Sequence, residues 1–292
     1  MRRHKVDYFS RIITSVRNYF EALKPRETFL ITFLGISSSV IAGGWGEWGR
    51  ITIAGISILL GSAGVNGLTN YLDRELDAKM ERTRRRPLPS KRIYPPEKIL
   101  PLVAILIIIG LVLAWWLHPY AFIAGVVGVI ASAVYRKRFT CVFPQGALAS
   151  IAPILIGWFA ISASFSWELV LLCLLIAFWL PLHVWSVMIS YRDQYLKAGI
   201  SFFPIGVDVK DSTKILFAFS LILYITSVAL YFAADLGTIY LILANIMGLL
   251  MIYSSLQLVR SRASLEAWRL YKLSSFPYLG IIFIAMCLDL LL

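Results

Sequence analysis

The sequence is short of the residues that build disulfide frameworks, zinc sites and acidic surfaces. It has only 3 cysteines and 3 histidines in 292 residues, and Cys141, Cys173 and Cys287 lie far apart with no CxxC spacing. This excludes a disulfide scaffold and the common cysteine zinc motifs, so we interpret the three thiols as small apolar side chains. Acidic residues are scarce too, with 16 Asp and Glu against 28 Lys and Arg, for a formal net charge of +12.

Apolar residues, by contrast, are abundant. They make up 59% of the chain, and the mean hydropathy is +0.77, whereas a soluble globular domain contains roughly 45 to 50% apolar residues. This composition predicts a polytopic membrane protein of the all-α class. Because Lys and Arg in cytoplasmic loops set the orientation of such proteins, we interpret the positive charge as a topology signal and expect a lipid bilayer, with no nucleic acid, as the partner.

Nine apolar runs follow one another along the chain, most of them near or above the roughly 17 residues that cross a bilayer. They cover residues 28–46, 51–72, 97–117, 119–135, 143–162, 168–190, 213–234, 237–258 and 273–292. The N-terminus and alternate loops hold 27 of the 28 Lys and Arg residues, and only Arg50 falls on the other side. We therefore predict about nine transmembrane helices, with the N-terminus in the cytoplasm and the C-terminus outside.

The N-terminal residues have a different pattern. Within 8–23 the apolar side chains recur at helical spacing and Arg11 and Arg17 lie elsewhere on the wheel, which is typical of an amphipathic helix in the membrane interface. The first long apolar run begins near Phe29, too late for an ordinary secretory signal, so we expect no cleaved leader. The predicted organisation is a cytoplasmic segment, 1–26, followed by a single transmembrane domain, 27–292.

One polar stretch, residues 66–90 (NGLTNYLDRELDAKMERTRRRPLPS), interrupts the apolar pattern. Asn66, Asn70, Asp73 and Asp77 are spaced by four, three and four residues, which aligns them on one face of a helix. Carboxylates roughly 5 to 6 Å apart repel each other unless a cation lies between them, and Mg²⁺ takes carboxylate oxygens while leaving positions for phosphate. Four arginines suited to a polyanion follow: Arg82, Arg84, Arg85 and Arg86. The stretch predicts a metal and diphosphate site at a membrane surface.

Residues 70–88 (NYLDRELDAKMERTRRRPL) resemble the aspartate-rich first motif of the UbiA superfamily of intramembrane prenyltransferases, and the Met80 to Thr83 continuation is most similar to the heme branch of that family. A second block, 183–204 (HVWSVMISYRDQYLKAGISFFP), resembles the later polar segment of the family. This chain departs from the family at three places, of which one is Tyr191, where the arginine that here is Arg192 is expected one position earlier. Thr69 stands where asparagine is common, and Gln194 follows Asp193 where consecutive aspartates are usual.

The resemblance implies a helical bundle with a central cavity open to the cytoplasmic side. It implies transfer of farnesyl from farnesyl diphosphate to the vinyl group of heme b, and partners that handle heme or assemble terminal oxidases. It implies that Mg²⁺ is held by Asn70, Asp73, Asp77 and Asp193, of which the three aspartates are catalytic. Contacts to diphosphate or heme are implied for Lys79, Arg82, Arg86, Tyr135, Lys137, Arg138, His183 and Arg192. The aromatic rings that could stabilise an allylic cation are Tyr71, Tyr135, Trp185 and Tyr191.

The residues leave several alternatives open. A sister branch would use the same metal site to prenylate a quinone precursor or a lipid glycerol phosphate. A transporter usually has ionisable groups near the bilayer midplane, whereas the apolar runs of this chain are almost free of charge. A non-catalytic assembly factor would tolerate the loss of Asp73 or Asp77. His183 lies in an apolar run, where its imidazole either contacts heme or bonds to a neighbouring helix.

Overall fold

The computed structural model describes residues 13–134, 143 and 145–291, and its regular elements are all helical. We number them in chain order, with a single 3₁₀ turn, Pro96–Ile99, leading into the fourth. They are α1 (13–22), α2 (Pro25–Ile41), α3 (Trp48–Lys79), α4 (Leu100–Leu117), α5 (Pro119–Ala133), α6 (Gln145–Phe159), α7 (Trp167–Ser190), α8 (Arg192–Lys197), α9 (Val209–Ala233), α10 (Thr238–Ser261), α11 (Ser264–Ser274) and α12 (Phe276–Asp289). A helix therefore coincides with each of the nine apolar runs, and the all-α prediction is confirmed for the described residues.

Length and composition separate these helices into two groups. Six helical segments of the described chain are long and apolar enough to cross a membrane: Trp48–Lys79, Pro96–Leu117, Trp167–Ser190, Val209–Ala233, Thr238–Ser261 and Ser264–Asp289. Two others, α5 and α6, are apolar but shorter, with 15 residues each. The protein is thus a multi-pass, all-helical membrane protein, and the count of nine spanning helices stays a prediction.

Neighbouring helices in the chain are also neighbours in space. Each of α2 to α7 packs against the next, α7 continues to α9, α9 to α10 and α10 to α12, and α12 returns to α2. The bundle is therefore closed. The largest buried apolar cluster extends from α2 to α12, and a second, small cluster joins α1 to the segment after α3.

Small residues allow α2 and α6 to cross at close range. A Cβ on Gly157 would overlap the carbonyl oxygen of Gly35, so the two backbones are in direct contact. Next to this crossing, Ser38 Oγ donates to the Ile154 carbonyl oxygen (2.9 Å) and Ser39 Oγ donates to that of Gly157 (2.8 Å). Close backbone approach and serine bonds between helices are typical of packing in a bilayer, where lipid removes the hydrophobic drive for association.

Arg50, the cation on the opposite side in the sequence pattern, has a structural role. Its Nε donates to the Ala160 carbonyl oxygen (2.6 Å) and an Nη donates to that of Leu117 (3.1 Å). These carbonyls lie at the C-terminal ends of α6 and α4, where the last turn of a helix leaves acceptors without a partner in the helix. Arg50 therefore caps two helices at once, which explains a cation at this position.

Candidate active site

The polar face predicted for residues 66–77 exists, because α3 continues without a break to Lys79. Asn70 and Asp77 are only 4% and 6% exposed, whereas Asp73 is half-buried. At the start of the face, Asn66 Nδ2 donates to Thr28 Oγ1 of α2 (2.9 Å). Asn70 and Asp77 thus place buried oxygen atoms, which could bind a cation, two helical turns apart at the end of α3.

Asp77 is held by the segment that follows α3. Arg86 Nη1 forms an ion pair with Asp77 Oδ2 at 2.7 Å, and Thr83 Oγ1 donates to the Asp77 carbonyl oxygen (3.0 Å). The segment turns back because Met80 and Leu88 are buried and anchor its two ends. Arg86, one of the basic residues predicted to bind diphosphate, is therefore placed beside the carboxylate and is one third exposed.

Asn70 has one satisfied and one unsatisfied polar atom. Its Nδ2 donates to the carbonyl oxygen of Ala22 in α1, which fixes the orientation of the amide because only the nitrogen can donate. The other atom, Oδ1, is buried and has no hydrogen-bond partner in the described structure. A buried amide oxygen without a donor is an unusual cost, and it suits a cation ligand.

The residues present fit Mg²⁺. Among the described residues no group of three or more His, Cys, Asp or Glu side chains converges as a metal cage. Mg²⁺ does not require one, because it keeps several waters and is commonly bound through one or two carboxylates and the phosphates of its substrate. Asn70, Asp73 and Asp77 on one face of α3 supply oxygen donors of this kind.

The second polar block, 183–204, contacts the segment after α3 through Gln194 and Tyr195, which were not among the predicted site residues. The backbone N–H of Arg82 donates to Gln194 Oε1 (3.2 Å), and an Arg82 Nη donates to the Tyr195 hydroxyl (3.3 Å). The Arg82 guanidinium also lies 5.5 Å from the centre of the Tyr191 ring. In the described residues Gln194 and Tyr195, rather than the predicted Asp193, make this contact. The only sequence signal for them was their position in the block, within two residues of Asp193.

Asp193 and Arg192, in the first turn of α8, both line a cleft beside this contact. Asp193 is exposed, and the cleft, of about 400 Å³, is also lined by Arg262 of the α10 to α11 turn. An Arg192 Nη donates to the carbonyl oxygens of Ile205 (2.9 Å) and Val207 (3.2 Å), which ties α8 to the segment before α9. Arg192 is thus engaged by its own loop, and the metal role of Asp193 stays a prediction.

His183 is enclosed by aromatic rings inside the bundle. It stacks between Trp179 of α7 (4.9 Å between ring centres) and Tyr271 of α11 (4.6 Å). Its Nδ1 lies 3.1 Å from Ser274 Oγ, and this hydroxyl gives its single proton to the Tyr271 carbonyl oxygen at 3.0 Å. Ser274 must therefore accept from His183, which places the imidazole proton on Nδ1 and leaves the lone pair on Nε2.

Of the other predicted residues, some already contact another side chain, some are buried and some lie outside the described part of the chain. Tyr71 has the Arg74 guanidinium over its ring at 4.3 Å, closer than Arg82 lies to Tyr191, and Trp185 is buried against Phe203 at 4.5 Å. Of the proposed cation-stabilising rings that the structure describes, Tyr191 is the one beside the Arg82 contact. Lys79 is exposed at the end of α3. Three predicted residues lie outside the described part of the chain: Tyr135, Lys137 and Arg138.

Sequence comparison with known proteins gives matches that cover most of the chain. The model of the UbiA prenyltransferase family matches residues 29–276. A protoheme IX farnesyltransferase of Desulforudis audaxviator (strain MP104C) is 33% identical over 286 residues, which cover 94% of this chain and 89% of that protein.

Solved structures share the fold. A structure of digeranylgeranylglyceryl phosphate synthase superposes with a TM-score of 0.77 at 22% identity, over 94% of this chain and 98% of that one. A UbiA homolog from Archaeoglobus fulgidus bound to GPP and Mg²⁺ gives a TM-score of 0.63 at 17% identity, over 92% and 99%. The chain belongs to the UbiA prenyltransferase family and is an intramembrane prenyltransferase.

Proposed function

We propose that this prenyltransferase transfers farnesyl from farnesyl diphosphate to a vinyl group of heme b, with Mg²⁺ as cofactor, and so forms heme O. The observation that carries the heme assignment is His183, whose Nδ1 bond to Ser274 leaves the lone pair on Nε2. When a histidine binds a metal ion through one ring nitrogen, the other ring nitrogen usually donates a hydrogen bond that fixes the ring. The name of the Desulforudis relative supports the same acceptor.

At the diphosphate end, Asn70, Asp73 and Asp77 would hold Mg²⁺, joined by Asp193 from the second block. When bound, the metal supplies Lewis acidity for departure of the diphosphate. Arg82 and Arg86 would neutralise the charge of the leaving group, and Lys79, Lys137 and Arg138 would add to the basic surface around it.

At the acceptor end, His183 would hold the iron of heme b, and Arg192 would stabilise the segment before α9 through its bonds to the Ile205 and Val207 carbonyl oxygens. Breaking the C1–O bond of farnesyl diphosphate leaves an allylic cation and takes the electron pair to the diphosphate. The vinyl π electrons then form the new C–C bond, and water adds to the resulting cation with loss of a proton. The Tyr191 ring can stabilise the cation by ~0.5 to 2 kcal/mol.

The proposed setting is the cell membrane. We infer nine spanning helices around a central cavity that opens to the cytoplasmic side, with the N-terminus cytoplasmic and with heme-handling or terminal-oxidase assembly proteins as partners. The concentration of basic residues after α3, α7 and α10 supports this orientation.

The test is to supply the purified protein with heme b, farnesyl diphosphate and Mg²⁺ and to follow the heme by mass spectrometry. We expect a heme whose mass has increased by a farnesyl group and a hydroxyl group, the net addition of one farnesol. Unchanged heme, together with prenylation of a quinone precursor or a lipid glycerol phosphate in parallel reactions, would assign the protein to a sister branch.

A further inference from the structure

The helix α1 contacts the candidate site at one end of the polar face of α3. Its residue Ala22 is fully buried, and its carbonyl oxygen accepts a hydrogen bond from Asn70 Nδ2. Asn70 Oδ1 is buried and has no hydrogen-bond partner among the described residues. The orientation of a predicted metal ligand is therefore set by a backbone atom of α1.

A second contact connects α1 to the other end of the same face. Arg92 donates to both carboxylate oxygens of Glu21, each at 2.7 Å, and to Asn18 Oδ1 at 3.1 Å. The same guanidinium donates to the carbonyl oxygen of Arg85 at 2.7 Å. Arg85 precedes Arg86, which pairs with Asp77. We call the contact of Arg92 with Glu21 and Asn18 the α1 clasp.

Apolar packing makes α1 part of the wall of the site. A small core formed by Ala22, Leu88, Ile93, Ile99 and Val103 is separate from the main one and joins α1 to the segment after α3. The opposite side of α1 is apolar and more than half exposed, at Ile13, Val16 and Phe20. This spacing places the three side chains on one face, as in helices that lie in a membrane interface.

The clasp persists at neutral pH. Hydrogen bonding to Arg92 lowers the pKa of Glu21 below its ordinary value, against a smaller opposing effect of burial. A carboxylate with a lowered pKa contributes its stabilisation above its unfolded pKa and loses it only as the pH falls through the folded one. Glu21 is therefore ionised throughout the working range of an enzyme at neutral pH.

We propose that α1 is a positioning element of the metal and diphosphate site: the α1 clasp holds the Ala22 carbonyl against the Asn70 amide and so keeps Asn70 Oδ1 available as a ligand. The inference rests on the proposed role of Asn70. Glu21, Asn18 and Arg92 act through Asn70 and do not touch substrate. Asn70, as a metal ligand, is then supported by its hydrogen bond to the Ala22 carbonyl oxygen. Loss of a hydrogen bond that supports a metal ligand typically lowers metal affinity 10- to 100-fold.

Reversing the charge of Glu21 or of Arg92 tests the α1 clasp, because a long side chain remains at each position. We would measure binding of radiolabelled farnesyl diphosphate to the purified protein across a Mg²⁺ titration for Glu21→Arg, Arg92→Glu and the double variant. Each single variant is expected to raise the Mg²⁺ concentration for half-maximal binding by about 10-fold, and the double variant to restore it. The matched control is Asp211→Lys, which breaks the exposed pair with Lys214 on α9 and leaves binding unchanged.

A double-mutant cycle identifies the route of the effect. If the clasp acts through Asn70, then Asn70→Ala combined with Arg92→Glu weakens Mg²⁺-dependent binding no more than Asn70→Ala alone. Additive losses, or single variants that bind like the wild type, would overturn the proposal. Wild-type protein that binds farnesyl diphosphate independently of Mg²⁺ would instead refute the metal site on which it depends. Thermal unfolding of each variant separates loss of positioning from loss of fold.

Discussion

At the scale of the residue, the site combines oxygen donors with an arginine that is already in place. The Asp77 carboxylate is buried and forms an ion pair with Arg86. Leaving a charge of this kind unpaired is costly, so the arginine stabilises Asp77 before any substrate arrives. If a cation and a diphosphate bind as proposed, the same arginine would lie close to both and would neutralise the leaving group.

We expect Asp77→Asn to lower the turnover number by about 100-fold or more, because an amide keeps the size and the hydrogen-bond acceptor but loses the charge. Farnesyl transfer by the purified variant at saturating Mg²⁺ measures this, with thermal unfolding recorded alongside. The matched control is Asp235→Asn, an exposed residue with positive φ, a conformation that asparagine also adopts. Full turnover by Asp77→Asn would remove Asp77 from the catalytic set.

His183 provides a second prediction at the residue scale. His183→Ala should abolish the Soret band of heme bound to the purified protein, and Ser274→Ala should weaken heme binding by about 10-fold, because the bond that fixes Nδ1–H is lost. Heme titrations followed by absorbance measure both effects. His118→Ala is the control, since His118 caps the start of α5 through Tyr120 and makes no contact with His183 in the described structure. An unchanged spectrum in His183→Ala would exclude this histidine as the iron ligand.

At the scale of the element, the crossing of α2 and α6 places α6 in the bundle. This contact depends on the absence of side chains, since Gly157 meets the backbone of Gly35 and no flexible atom can move away. The serine bonds at Ser38 and Ser39 then form at the same crossing. Helix packing in the bilayer is decided here by backbone shape, which apolar periodicity does not report.

We expect Gly157→Ala to lower the free energy of unfolding by about 1 to 3 kcal/mol, the usual cost of overpacking a tight interface. Gly280→Ala on α12 is the matched control: its Cβ would meet nothing within 4 Å, so the better helix propensity of alanine leaves stability unchanged or raises it by up to about 1 kcal/mol. Reversible denaturant titration in detergent micelles compares the two. Equal stability of both variants would contradict the tight crossing.

At the scale of the whole molecule, charge and helix length together define the topology. The nine helices of the prediction require α5 to cross, yet it has only 15 residues, about 22 Å at 1.5 Å per residue, against a hydrocarbon core of ~30 Å. A short helix can cross where the bilayer thins locally or where neighbouring helices cover its ends. The arginine and lysine residues 136–138 after α5 favour crossing.

A cysteine accessibility experiment decides this point. In a variant with the native cysteines replaced by serine, Phe143→Cys should react with an impermeant maleimide only from the cytoplasmic side, and Ser164→Cys only from the other side. Right-side-out and inside-out vesicles provide the two exposures, and Ser90→Cys, after α3, serves as the cytoplasmic reference. Labelling of Phe143→Cys from outside would mean that α5 does not cross.

The sequence by itself determined the features that depend on composition and local periodicity. Nine apolar runs coincide with helices because hydropathy and helix formation are local, and Asn70, Asp73 and Asp77 share a face because α3 has no break before Lys79. The family assignment also follows from a contiguous motif. These features need no knowledge of which helix lies beside which.

Only the tertiary structure decided the contacts between distant parts of the chain. Gln194 and Tyr195 meet Arg82 across more than a hundred residues, Ser274 fixes the His183 ring from another helix, and Ala22 orients Asn70. Each depends on the crossing of helices and on the direction of a side chain about its axis, which change when a helix rotates by one residue. Periodicity determines which residues share a face, and packing alone determines what that face meets.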